Sequence, residues 1–200
     1  MSLFCLQRDA DQVAAALIEA AQAQGTLLSE TDFTGGGFAL SSRLAEEYDL
    51  ALPPEVEFYA RHFAPKNGLP LFLFFYQGFH LFNPSQLGIE SGGAWGLGPD
   101  REGSNWLVIG QDVSDAFAVD LTDVGDASPV YHLSEAGDWE PEMVADSIAL
   151  FMLLLAAQAT GLSVNALDGP EGAEAAGAVF KTRVLAIAPE FRSFWLDGET

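Results

Sequence analysis

Cysteine is almost absent. Cys5 stands alone, which excludes an intramolecular disulfide and a cysteine-based zinc site and suits a reducing compartment. Basic side chains are scarce too: 8 Lys and Arg face 29 Asp and Glu, giving a formal net charge of -21 and a pI of about 4.1. A phosphate backbone is repelled by such a chain, because nucleic-acid binding needs clustered Lys and Arg to displace counterions. Anionic membrane surfaces ask for the same cations. Neither partner is expected.

Long apolar runs are missing as well. The most hydrophobic stretch, residues 147–159, follows Asp146 and is shorter than the ~20 residues that span a bilayer. Residues 1–8 lack a basic segment leading into an apolar one with a small-residue cleavage site. The expectation is a cytoplasmic protein. Catalytic signatures are equally lacking. No Gly-x-Ser-x-Gly element occurs, and Gly35, Gly36 and Gly37 are not followed by the Lys and Ser or Thr of a phosphate loop. His62, His80 and His132 are scattered without the paired helical spacing of a metal site. No catalytic residue, cofactor or metal ligand is therefore assigned, and the chain is expected not to be an enzyme.

What the chain does have is core material. Hydrophobic residues make up 49% of it, with 15 Phe and 4 Trp, enough to offset the entropy of ordering one domain. Residues 9–24 carry Val13, Leu17 and Ala20 or Ala21 at helical spacing, with Asp9 as N-cap and Gly25 as stop. A second helix starts at Pro53-Pro54, buries Val56, Phe58, Tyr59 and Phe63, and ends at Pro65, Asn67 and Gly68. Residues 69–76 and 79–82 read as paired strands joined at Gln77-Gly78. Residues 106–109, 116–121 and 129–133 read as three more strands in a meander. A long helix is expected from Glu140, with Pro141 in its first turn and Met143, Val144, Ile148, Phe151, Met152 and Leu155 on its apolar positions. Residues 168–177, small and acidic, read as a linker. The fold class is α+β: a mostly antiparallel sheet packed by helices.

Carboxylates concentrate in the meander turns. Asp112, Asp115, Asp120, Asp123 and Asp126 form the densest run; they suit solvated turns, a partner surface, or hard-cation ligation, though without an EF-hand pattern. Glu135, Asp138 and Glu140 surround Trp139, an indole that serves either as an anchor for a basic partner or as a staple of the following helix. An acidic surface favours a basic protein through complementary fields, and it also favours solubility. The candidate partner-binding set is Asp112, Asp115, Asp123, Asp126, Glu135, Asp138 and Trp139.

The order of features resembles the SUKH superfamily over roughly residues 52–155. Leu52-Pro53-Pro54-Glu55 with Phe58, Tyr59 and Phe63 is similar to the family's Leu-Pro helix start and aromatic face. Phe79-His80-Leu81-Phe82-Asn83-Pro84-Ser85-Gln86-Leu87 is similar to its strand and turn. Trp106-Leu107-Val108-Ile109-Gly110-Gln111-Asp112, then Asp115, Phe117-Ala118-Val119-Asp120 and Pro129-Val130-Tyr131 follow its strand pattern. The apolar run from Val144 to Leu154 resembles its terminal helix. Val113 and Ser114 stand where members often carry glycines, and residues 1–40 and 165–200 have no counterpart in that pattern. The resemblance implies a single SUKH-like domain with a core of about residues 41–160, an N-terminal helical addition at 1–40 and a C-terminal extension at 161–200. It further implies a non-catalytic protein-binding function, that of a bacterial immunity protein neutralising a basic cognate toxin, possible nuclease toxins included. A regulatory or scaffold domain binding a host protein is the alternative, and an enzyme the third class.

Overall fold

A computed structural model describes residues 3–27, 29, 32–33, 52–62, 64–71, 79–81, 88–91, 105–112, 115–123, 125, 127–134, 140–161, 170–191 and 193–197. Among these, helix α1 spans Leu3–Ala23. It starts ahead of the expected cap Asp9 because no Gly or Pro precedes that residue to stop helix propagation. Val13, Leu17, Ala20 and Ala21 are buried, as their spacing predicts. Gly25 ends the helix at φ 77°, a left-handed conformation that glycine adopts without Cβ strain. There Thr26 N–H reaches Ala21 O at 2.8 Å and Gly25 N–H reaches Gln22 O at 3.0 Å, the paired bonds of a Schellman stop.

Helix α2, Pro54–His62, opens with Glu55 and Glu57 and closes with Arg61 and His62, charges that match the helix dipole at each end. The sheet follows: β1 Leu69–Leu71, β2 Phe79–Leu81, β3 Gly88–Ser91, β4 Asn105–Asp112, β5 Asp115–Asp120, β6 Val130–Leu133 and β7 Glu142–Ala145. The order is β1-β2-β4-β5-β6-β7, every pairing is antiparallel, and β3 also pairs with β4. Because β5 occupies one edge of β4, β2 and β3 lie end to end along the other, β2 opposite Gly110 and Gln111 and β3 opposite 105–108. The α+β class and the meander follow the sequence reading. The joint expected at Gln77-Gly78 and the expected burial of Phe63 lie outside the described residues.

Two expectations are corrected. The helix expected from Glu140 begins at Ile148, because residues 142–145 pair with β6 as the edge strand β7; strand hydrogen bonding overrides the weak helical preference of Met143-Val144. Ser147 caps the helix instead, its hydroxyl accepting from Leu150 N–H at 3.2 Å and its carbonyl from Phe151 N–H at 3.0 Å. The acidic segment read as a linker is helical from Pro170, as α4, Pro170–Ile187. Its Ala and Glu content outweighs its glycines, and Pro170 suits the first helical position.

Helix α3, Ile148–Gly161, is the centre of the molecule. It is apolar around its whole circumference, the pattern of a helix enclosed on all sides, and α1, α2 and α4 pack against it. Phe151 meets the sheet through Phe79 and Phe117, at ring-centroid distances of 6.3 and 5.4 Å. Beyond α4, a 3-10 turn at Pro189–Phe191 and a π turn at Ser193–Asp197 return the chain to the sheet. There Trp195 is buried, and its indole N–H donates to Val144 O at 2.8 Å, covering a carbonyl of edge strand β7 that would otherwise template aggregation. Residues of α1, α4 and the C-terminal turns thus share one core with the sheet. No helix among the described residues is long and apolar enough to cross a membrane.

Candidate functional site: the acidic ends of the sheet

Strand direction decides which carboxylates meet. Asp115 and Asp120 bound β5, and a rise of about 3.3 Å per residue sets them ~17 Å apart. Asp112 pairs with Asp115 across the β4–β5 hairpin, and β6 runs back so that His132 lies opposite Phe117 and Glu142 opposite His132. One end of the sheet therefore gathers Asp112, Asp115, Glu142 and the approach of Glu140. The other holds Asp120 and Asp123. Asp126, Glu135, Asp138 and Trp139 lie outside the described residues. The candidate set is thus divided: Asp112 and Asp115 come together, and Asp123 stands at the opposite end.

At the first end, His132 Nε2 lies 3.1 Å from Asp115 Oδ2, with the two side chains 12% and 19% exposed. The imidazole is held between the rings of Phe117 and Phe194, both 5.0 Å away. This packing fixes the Asp115 carboxylate on a rigid platform. Asp112 is partly exposed on the neighbouring strand, Glu142 is partly exposed and Glu140 is exposed.

At the second end the carboxylates shape turns. Asp120 Oδ1 accepts from Thr122 N–H at 2.8 Å and from its hydroxyl at 2.6 Å. Asp123 Oδ1 accepts from Gly125 N–H at 3.1 Å, the local bonding for which Asp is favoured in turns. Burial, and then the charges of Asp123 and Asp120, push the Tyr131 phenol up from its ordinary value.

Glu55 is the residue that composition and spacing do not reveal. Although charged, it is 1% exposed. One carboxylate oxygen accepts from Ser128 N–H at 2.6 Å and the other from Ala149 N–H at 3.1 Å, and the N–H of Ile148 also donates to it. It therefore caps α3 from α2 while tying down the turn before β6. Burial pushes its pKa up, against the pull of those three donors. Its signal in the sequence was its place after Leu52-Pro53-Pro54, in the first turn of a helix.

The described residues gather no group of three or more His, Cys, Asp or Glu side chains able to hold a metal ion. A groove of about 380 Å³ lies between α1, α3 and α4, floored by Leu153, Ala156 and Ala157 and crossed by the Glu19–Arg183 pair at 3.2 Å. Comparison with protein-family models, curated proteins and solved structures returns no match.

Proposed function

We propose that this chain is a non-catalytic protein-binding domain that engages a basic partner through the Asp112 end of its sheet, as an immunity protein of the SUKH kind engages a toxin. The observation that carries the reading is the convergence of Asp112, Asp115, Glu140 and Glu142 at one sheet end, in a chain of net charge -21. Three of the four stand on paired strands, and Asp115 is further fixed by His132, so little ordering entropy is lost on binding. A nuclease toxin needs a cationic groove for its phosphate substrate, and a rigid acidic edge competes for those cations. The order of Leu-Pro helix, meander and terminal helix supports the SUKH comparison.

The test is co-purification with the product of a neighbouring toxin-like gene, followed by association kinetics across a salt series. Screening shortens the Debye length from about 10 Å at 0.1 M to about 3 Å at 1 M. Association should therefore slow markedly, and dissociation much less. The triple variant Asp112→Asn/Glu140→Gln/Glu142→Gln should associate more slowly while remaining folded, since surface substitutions at exposed or partly exposed positions usually change stability by no more than about 0.5 kcal/mol each. Asp123→Asn, at the far end, should bind as wild type. Unchanged kinetics in the folded triple variant would refute the surface.

A further inference from the structure

The acidic end of the sheet is not built by the sheet alone. Asp115 stands on β5 and His132 on β6, and a third part arrives from the π turn Ser193–Asp197. Two neighbouring residues of that turn make different contacts. Trp195 is 1% exposed, its ring 6.0 Å from Phe151 of α3 and its indole N–H on Val144 O. Phe194 is only half-buried; it stands edge-on to Trp195 at 5.3 Å and meets His132 at 5.0 Å and Phe117 at 6.2 Å between ring centroids. Trp195 is thus the anchor of the turn, and Phe194 is the ring that the anchor holds in place.

The consequence falls on Asp115. A carboxylate only accepts, so in the 3.1 Å contact the imidazole Nε2–H is the donor. The direction of that N–H follows the plane of the ring, and the plane is held by Phe117 and Phe194. Phe117 is fully buried on β5 and has no room to move. Phe194 belongs to a turn outside the sheet, so of the two rings it alone can leave. Asp112 lies opposite Asp115, and Glu142 opposite His132. The imidazole therefore stands among the carboxylates of the acidic end, and its orientation depends on the docking of the C-terminal turn.

We propose that the Ser193–Asp197 turn is a clamp on the partner surface: Trp195 docks it, Phe194 locks the His132 imidazole, and the imidazole holds the Asp115 carboxylate where the basic partner meets it. The inference rests on the proposed binding role of the Asp112 end and adds that the C-terminal turn decides how tightly that end holds. Phe194 is a positioning residue without charge, so its removal leaves the long-range steering by the acidic side chains as it was. The loss is felt after encounter. With the ring gone, Asp115 has to be ordered in the complex, which lowers affinity roughly two- to tenfold for one freed side chain, and that loss falls on dissociation.

Imidazole NMR of the isotope-labelled full chain reads the clamp without any partner. The His132 Nε2 proton should exchange slowly with water in wild type and at least about tenfold faster in Phe194→Ala, whereas Phe194→Tyr, which keeps the ring, should match wild type. Binding kinetics with the co-purified toxin-like protein read the consequence. Phe194→Ala should raise the dissociation rate roughly two- to tenfold and leave the association rate unchanged, the reverse of the carboxylate triple variant. His132→Leu leaves apolar bulk between the rings but no donor for Asp115; it should raise dissociation to the same extent, and Phe194→Ala added to it should change nothing more, because both act through one bond. Val13→Ala trims the buried core on α1 instead and should dissociate as wild type, which separates lost stability from lost positioning. If Phe194→Ala loses its fold, Phe194→Leu should show the same contrasts at smaller amplitude. Equal proton exchange in wild type and the Phe194 variant, wild-type dissociation in that variant, or fully additive effects of the two substitutions would each overturn the clamp while leaving the Asp112 surface standing. A triple variant that associates at the wild-type rate would instead bring down the surface, and the clamp's part in binding with it.

Discussion

Removing the Glu55 carboxylate should destabilise the fold more than any surface substitution. Glu55→Ala leaves the N–H groups of Ser128, Ile148 and Ala149 without their acceptor, the first two on fully enclosed residues. Each orphaned donor costs about 1–3 kcal/mol. Loss of the buried carboxylate's own desolvation penalty offsets part of that sum, and a net loss on the order of 3–5 kcal/mol remains. For a domain of this size that lowers the melting temperature by roughly 10 °C. Glu55→Gln keeps one acceptor oxygen but turns an amide NH2 toward a backbone donor, so it should fall between wild type and Glu55→Ala. The pH dependence follows from burial raising the folded-state pKa above its ordinary 4.5. Between the unfolded and folded values the native state holds more protons than the unfolded state, so stability falls as pH rises. This contribution is complete below about 4.5 and is lost as pH passes the folded value. Glu55→Gln does not titrate. Denaturant unfolding followed by tryptophan fluorescence should thus show the wild-type advantage over Glu55→Gln shrinking from acid pH upward, then levelling. A loss below 1 kcal/mol in Glu55→Ala would refute the capping role, and an advantage that grows with pH would mean that the three donors outweigh burial.

Gly110→Ala should cost about 1–3 kcal/mol by overpacking, since a Cβ there would stand 2.5 Å from Phe79 Cζ and 3.1 Å from His80 O; the Phe79 ring cannot retreat because Phe117 and Phe151 pack around it. A wild-type denaturation midpoint would contradict this. Trp195→Phe keeps an aromatic body but loses the hydrogen bond to Val144 O, a stability loss of about 1–2 kcal/mol with faster amide exchange in β7. Asp123→Asn should lower the Tyr131 pKa in a spectrophotometric titration referenced to Tyr131→Phe, because a charge that disfavours the phenolate is removed. No downward shift would separate that carboxylate from the ring.

Periodicity and local stop signals determined much of the architecture. The Val13, Leu17, Ala20 face, the Gly25 stop, the Pro54 helix start and strands β4, β5 and β6 were legible because each depends on residues within a turn or two of one another. Edge pairing was not: 142–145 has a helix-like apolar pattern, and only its ladder with β6 makes it a strand. Nor was the packing of α4, whose Ala- and Gly-rich sequence becomes a helix with Phe180 and Val184 buried at its inner side. The acidity was plain from the sequence, but its distribution was not. Asp115 and Asp120 are five residues apart in the chain and sit at opposite ends of one strand, because an extended backbone carries charge away along its length whereas a hairpin folds Asp112 back onto Asp115. Glu55 reads as a solvated helix residue until α3 and the turn at Ser128 aim their N–H groups at it, and a buried charge can be justified only by partners that tertiary structure brings from far along the chain.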